Sequence, residues 1–109
     1  MPTTTIATGT TLATLINVFT VQPERQRRLV ELLTDATDKV MRHMPGFVAA
    51  NIHASTDGTK VVNYAQWESS EAFHAMLDNP EAQAHMGQAA ELADTFEPHL
   101  YTVESVHHR

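Results

Sequence analysis

Residues 61–67 read Val-Val-Asn-Tyr-Ala-Gln-Trp. Taken as a β-strand, the segment alternates: Val61, Asn63, Ala65 and Trp67 share one face, and Val62, Tyr64 and Gln66 the other. An amide and an indole N–H therefore project the same way from a largely apolar run. A polar group in an apolar core is costly unless hydrogen-bonded, so two converging on a cavity suit a site that orients a polar aromatic ligand. Both offer N–H donors, and indole also stacks on aromatic rings. A donor aimed at a developing oxyanion is worth about 3 kcal/mol, roughly two orders of magnitude in rate. Taken singly, each residue has a plainer reading. A strand tryptophan is commonly core, and asparagine, depleted in strands, commonly marks an edge or a bulge.

The elements that must position these groups follow from pattern. Leu12 to Val21 reads as a first strand, with Leu15, Asn17, Phe19 and Val21 opposite Ile16, Val18 and Thr20. Gln22-Pro23-Glu24 opens a helix whose Leu29, Leu32, Leu33, Ala36 and Val40 form one buried stripe. Pro45-Gly46 stops it by Met44. Phe47–Ser55 is a second strand, Thr56-Asp57-Gly58-Thr59 a hairpin turn, and Lys60–Glu68 the third strand. Ser69 caps a short helix to about Leu77. Asp78-Asn79-Pro80 breaks it, and Pro80 begins another helix carrying Ala82, Met86, Ala89, Ala90 and Ala93. Pro98 is expected to end that region, and His99–Val106 to form the last strand.

The resulting order, β-α-β-β-α-β with the second helix in two pieces, is the ferredoxin-like split β-α-β plan of an α+β protein. Helices cover one face of such a sheet. The other carries Ile16, Val18, Val62 and Tyr64, and a second copy packed sheet to sheet would remove them from water, so a homodimer is expected.

At 109 residues the chain is one domain, large enough to bury roughly two-thirds of its unfolded surface. The boundaries expected are an extended or disordered arm over 1–11, the domain over 12–106 and a loose tail over 107–109. Without cysteine, disulfides, thiolate catalysis and Cys-based zinc or iron–sulfur sites are excluded. A formal charge of −6 argues against a nucleic-acid partner. Four of the seven Lys and Arg residues (Arg25, Arg27, Arg28, Lys39) fall in the first helix, as a solvated face. No apolar run approaches the ~20 residues of a membrane span, and the Thr-rich start lacks the features of a signal peptide. A cytoplasmic protein with no membrane partner is expected.

The seven histidines do not have metal-site spacing: His74 and His85 are separated by Pro80, there is no His-x-x-x-His pair, and His107-His108 sits in the tail. No metal is expected. Met41, Met44, Met76 and Met86 read as core filler.

Met44-Pro-Gly-Phe-Val, then His53-Ala-Ser-Thr-Asp-Gly-Thr, then Val61-Val-Asn-Tyr-Ala-Gln-Trp-Glu-Ser resemble the antibiotic biosynthesis monooxygenase family, most closely its cofactor-free anthrone- and quinone-forming members from aromatic polyketide pathways. Pro-Gly-Phe is generic to the superfamily; the Asp-Gly-Thr hairpin joined to Asn-Tyr-Ala-Gln-Trp is far more specific. The resemblance spans about Leu12 to Val106. It implies a dimeric α/β barrel, a polycyclic phenolic substrate held between sheet and helices, insertion of one oxygen atom from O2, and no cofactor. The residues it implies as catalytic are Asn17, Asn63 and Trp67. His53, Phe73, His85 and Met86 are the candidate substrate contacts beside them, and alternation alone does not decide whether Asn51 and His53 or Val48, Ala50 and Ile52 of the second strand point inward. Two positions depart from some relatives, which carry tyrosine where this chain has Phe73 and arginine near His85 or Met86. A histidine is then the available proton-transfer group: His53, His74 or His85. Water activated by Asn17 or Asn63 is another.

The same fold admits other functions. Haem-degrading relatives combine a first-strand Asn, a helix Trp and an iron-ligating helix His. Asn17 and His85 match two of these, but Met76 occupies the expected Trp position. A non-oxidative polyketide isomerase or cyclase, or a ligand-binding protein, would use the same pocket donors.

Overall fold

The computed structural model describes all residues from Met1 to Arg109. The β-branched run after Leu12 forms β1, Ala13–Thr20. Pro23–Arg25 makes a 3-10 turn with Pro at its start, leading into α1, Gln26–Lys39. Leu29 and Ala36 on α1 and Val40 just beyond it are buried. A second 3-10 turn, Met41–His43, carries the chain to Pro45-Gly46.

The strands β2, Phe47–Ala54, and β3, Lys60–Trp67, are joined by the Asp-Gly turn. Gln26 at the start of α1 fixes that hairpin by donating to the carbonyls of Ser55 (2.9 Å) and Lys60 (3.0 Å). Asp57 Oδ1 accepts from the Thr59 hydroxyl (2.7 Å), the Thr59 N–H (3.0 Å) and the Ser55 hydroxyl (2.8 Å). These bonds hold its carboxyl at about 2, below its ordinary 3.8.

Ser69 Oγ accepts from the Ala72 N–H and starts α2, Ser70–Leu77. Asn79 Oδ1 accepts from the N–H groups of Glu81 and Ala82, and Pro80 sits at the first position of α3, Pro80–Leu92. The last strand, β4, is Thr95–Tyr101, four residues earlier than sequence punctuation suggests. Pro98 lies inside it rather than before it. The strand is at the sheet edge and pairs only with β1, so a missing N–H directed outward breaks no ladder bond.

The sheet order is β2-β3-β1-β4, with every neighbour antiparallel. This is the ferredoxin-like arrangement, an open sheet with three helices. The helix-facing side holds two apolar clusters: Leu15, Ala65, Trp67, Phe73, Met76 and Ala82 at one end, and Phe19, Val21, Leu29, Val61 and Ala89 at the other. Full burial of a side chain such as Leu29 or Val61 contributes about 1.5–3 kcal/mol.

The opposite face is helix-free, and the N-terminal residues lie across part of it. Thr4 Oγ1 donates to Asn51 Oδ1 (2.7 Å), and Gln66 Nε2 donates to the Thr5 carbonyl (2.8 Å). No helix of the protein is long and apolar enough to cross a membrane.

Candidate active site

Between the two apolar clusters, β1 and β3 place Asn17 directly opposite Asn63. On the same face Leu15 pairs with Ala65 and Phe19 with Val61, so one amide rung interrupts an otherwise apolar ladder. The rung opens into a cavity of about 600 Å3 between the sheet and the helices, the size of a small-molecule site. Leu15, Phe19, Ala65 and Trp67 line its floor; Leu33, Ala36 and Thr37 of α1, Met76 and Leu77 of α2, and Met86 and Ala89 of α3 line its roof.

Three buried polar atoms at this cavity have no hydrogen-bond partner: Asn17 Oδ1, Asn63 Oδ1 and His85 Nδ1. Nearly all buried polar groups in folded proteins are satisfied, and an orphan costs about 1–3 kcal/mol. Three such atoms on residues lining one apolar space could be satisfied by a ligand with hydrogen-bonding groups of its own.

Trp67 is 2% exposed. Its indole meets Phe47 edge-on, with ring centroids 5.5 Å apart, and Phe73 at 6.4 Å. Two edge-to-face contacts fix the ring at the cavity wall.

Of the residues singled out from sequence, Asn17, Asn63, Trp67, Phe73, His85 and Met86 all line this cavity. His53 does not. It is exposed and pairs with Val62 on the helix-free face, where its Nδ1 lies 3.1 Å from the Asn51 carbonyl oxygen. The expectation of a substrate contact at His53 is corrected by a bulge. From Phe47 a regular strand would turn Asn51 and His53 inward, but the register slips between Phe47 and Ala49. Ala50 and Ile52 therefore face the helices instead.

The sequence reading missed the β4 wall. Phe96, Pro98 and Leu100 border the cavity, opposite Phe19, Asn17 and Leu15 respectively. Their alternation with Glu97, His99 and Tyr101 is a strand signal, masked by taking Pro98 as a terminator. Phe96 is 50% exposed, which leaves the cavity open along this edge. No Asp, Glu, Lys or Arg lines the cavity; its titratable residues are His74, His85 and His99.

The antibiotic biosynthesis monooxygenase profile matches residues 13–88. Over 81 residues the chain is 52% identical to the tetracenomycin-F1 monooxygenase of Streptomyces glaucescens, covering 74% of this chain and 72% of that protein. A monooxygenase from the ActVA-Orf6 gene of Streptomyces coelicolor, solved in complex with nanaomycin D, superposes with a TM-score of 0.81 at 33% identity, over 89% of this chain and 91% of that one. SnoaB, a cofactor-independent oxygenase from Streptomyces nogalater, shares the fold with a TM-score of 0.77 at 24% identity, over 88% of this chain and 96% of its own. By profile and by identity, the chain belongs to the antibiotic biosynthesis monooxygenase family.

Proposed function

We propose that the protein is a cofactor-independent monooxygenase of aromatic polyketide biosynthesis, oxidising a polycyclic phenol or anthrone to a quinone with O2. The observation that carries this reading is the unpartnered Asn17–Asn63 rung in an apolar cavity walled by Trp67. The relatives named above support the substrate class.

The chemistry asks little of the protein beyond placement. A deprotonated phenol or anthrone is electron-rich enough to give one electron to O2. The radical pair recombines to a peroxide, and loss of water leaves the quinone. The substrate supplies the reducing electrons. The protein contributes positioning, a dry site and stabilisation of the oxyanion.

In this reading the carboxamides of Asn17 and Asn63 serve both states of the substrate. Each Oδ1 accepts a phenolic O–H, and each Nδ2 donates to the oxyanion once that proton has left. Trp67 provides the flat wall against which fused rings stack, with Phe73 and Met86 completing the apolar surround. The active unit is a homodimer, its two sheets packed through the helix-free face bearing Ile16, Val18, Val62 and Tyr64.

The test is oxygen uptake and quinone absorbance when the purified protein meets a tricyclic anthrone under air, with Asn63→Ala and Trp67→Phe alongside. Turnover above autoxidation, reduced in both variants, supports the reading. Turnover no faster than autoxidation overturns it for this substrate class. The unpartnered His85 Nδ1 also suits the haem-degrading alternative, and a Soret shift on haem titration would favour that instead.

A further inference from the structure

We infer that His85 is the proton acceptor of this site: its Nδ1 takes the proton from the bound phenol or anthrone and later returns it to the peroxide. The assignment rests on the monooxygenase reading above and adds to it the group that moves the proton.

His85 sits where that transfer must happen. On α3, Ala82 packs in the cluster of Leu15 and Ala65, and Ala89 in the cluster of Phe19 and Val61. The Asn17–Asn63 rung lies between those two ladder pairs. His85, three residues after Ala82 and four before Ala89, shares their helix face, which brings its ring to the level of the rung. Its Nδ1 is buried, borders the cavity and has no partner within the protein.

The other two cavity histidines are placed differently. His74 and His99 are both exposed; the first stacks edge-on against Phe73 and the second against Tyr101. No carboxylate, lysine or arginine lines the space, and β1, β3 and α1 contribute only uncharged groups there. On α3 itself the nearest charge is Glu81, one turn away and exposed. The ring nitrogen of His85 is thus the one buried, unpartnered base at the cavity that holds the amide rung. Histidine is also the side chain most often used to move a proton to or from a reacting group.

The step balances. The substrate O–H or C–H bond breaks, its proton forms an N–H bond at Nδ1, and the electron pair stays on the substrate as the enolate. O2 takes up the enolate's electrons to give the peroxide anion. The imidazolium protonates this anion to the hydroperoxide. The remaining C–H bond at that carbon and the O–O bond then break; the inner oxygen stays as the carbonyl, and the outer one leaves as water carrying the released proton. Histidine ends neutral.

The experiment is dithranol turnover between about pH 5 and 9 in the wild type and in His85→Gln, His74→Gln and His99→Gln. Expected is a fall of roughly 10²-fold or more in kcat for His85→Gln, with loss of the acid-limb break that the other two variants keep. Imidazole should restore turnover to His85→Ala but not raise that of the wild type. Wild-type turnover with an unchanged profile in His85→Gln overturns this assignment alone, whereas no wild-type turnover overturns the anthrone-oxidising reading with it. If the glutamine variant does not fold, NMR of the His85 ring in the wild type under nitrogen decides. Conversion to imidazolium on adding dithranol supports the transfer; a ring that stays neutral while dithranol is bound overturns it.

Discussion

Asn17 and Asn63 face each other across the two central strands of the sheet, and both side-chain carbonyl oxygens are buried without a partner. The rung they form reads Ile52, Asn63, Asn17, Pro98 across all four strands. Two amides bracketed by apolar residues are a poor way to stabilise a core, because neither side-chain oxygen bonds another group of the protein. Their energetic logic lies in what the cavity receives.

Opposite signs for stability and activity follow at this rung. Leucine nearly matches asparagine in shape and removes the unmet group, so Asn63→Leu should be neutral to stabilising, by up to about 1 kcal/mol. The same change should lower kcat/KM by roughly 10²-fold, the value of one lost oxyanion donor. Thermal denaturation and oxygen uptake on one preparation check both signs. A variant that is both destabilised and fully active would show that the amide serves packing rather than substrate.

Much of this arrangement is legible in the sequence. Alternation in Val61–Trp67 and in Leu15–Val21 puts both asparagines and the tryptophan on the helix-facing side, and the helix stripes close the roof above them. Two features are not legible. The bulge near Val48 reverses which residues of β2 face inward, and no local residue type announces a one-residue slip. Pro98 reads as punctuation unless its strand is known to be at the edge, and edge position follows from tertiary pairing. His53 and the β4 wall were misread for these reasons.

Gly46 joins the helix-to-strand turn to the wall of the site. Its φ of +84° is in the left-handed region, and a Cβ there would overlap Ala72 Cβ. Its carbonyl also accepts from the Glu68 N–H at 2.7 Å. Gly46→Ala should therefore cost about 2 kcal/mol or more, through backbone strain and overpacking together. That is a drop of roughly 8 °C or more in Tm. Ala72→Gly in the same chain should recover the steric part and leave the backbone part, so a double-mutant cycle separates the two.

The hairpin carboxylate gives a defined acid limb. Asp57 is held at about 2 rather than 3.8, chiefly by the Thr59 hydroxyl, then by the Thr59 N–H and the Ser55 hydroxyl. A depressed folded-state value means that the charged form favours the fold. Its contribution is complete above the ordinary carboxylate value and disappears as pH falls through the folded one. The Tm advantage of the wild type over Asp57→Asn should accordingly hold at neutral pH and shrink between about pH 4 and pH 2. A gap independent of pH would assign the effect to turn geometry instead of charge.

The helix-free face predicts the state of assembly. Val18 and Val62 are opposite each other there, with Ile16 and Tyr64 on the next rung. The N-terminal residues reach Asn51 and Gln66 toward the β2 side of this face. No helix covers the central valines, and apolar surface of this kind is removed from water most simply by a second copy. Wild-type protein should sediment near twice its 12.1 kDa chain mass. Val62→Glu buries a charge in that contact and should shift the species toward monomer while far-UV circular dichroism stays unchanged. Substitution of exposed Val48 at the bulge, away from the central pair, should leave sedimentation unaltered. A wild type that remains monomeric at micromolar concentration would mean that the two sheets do not pack together.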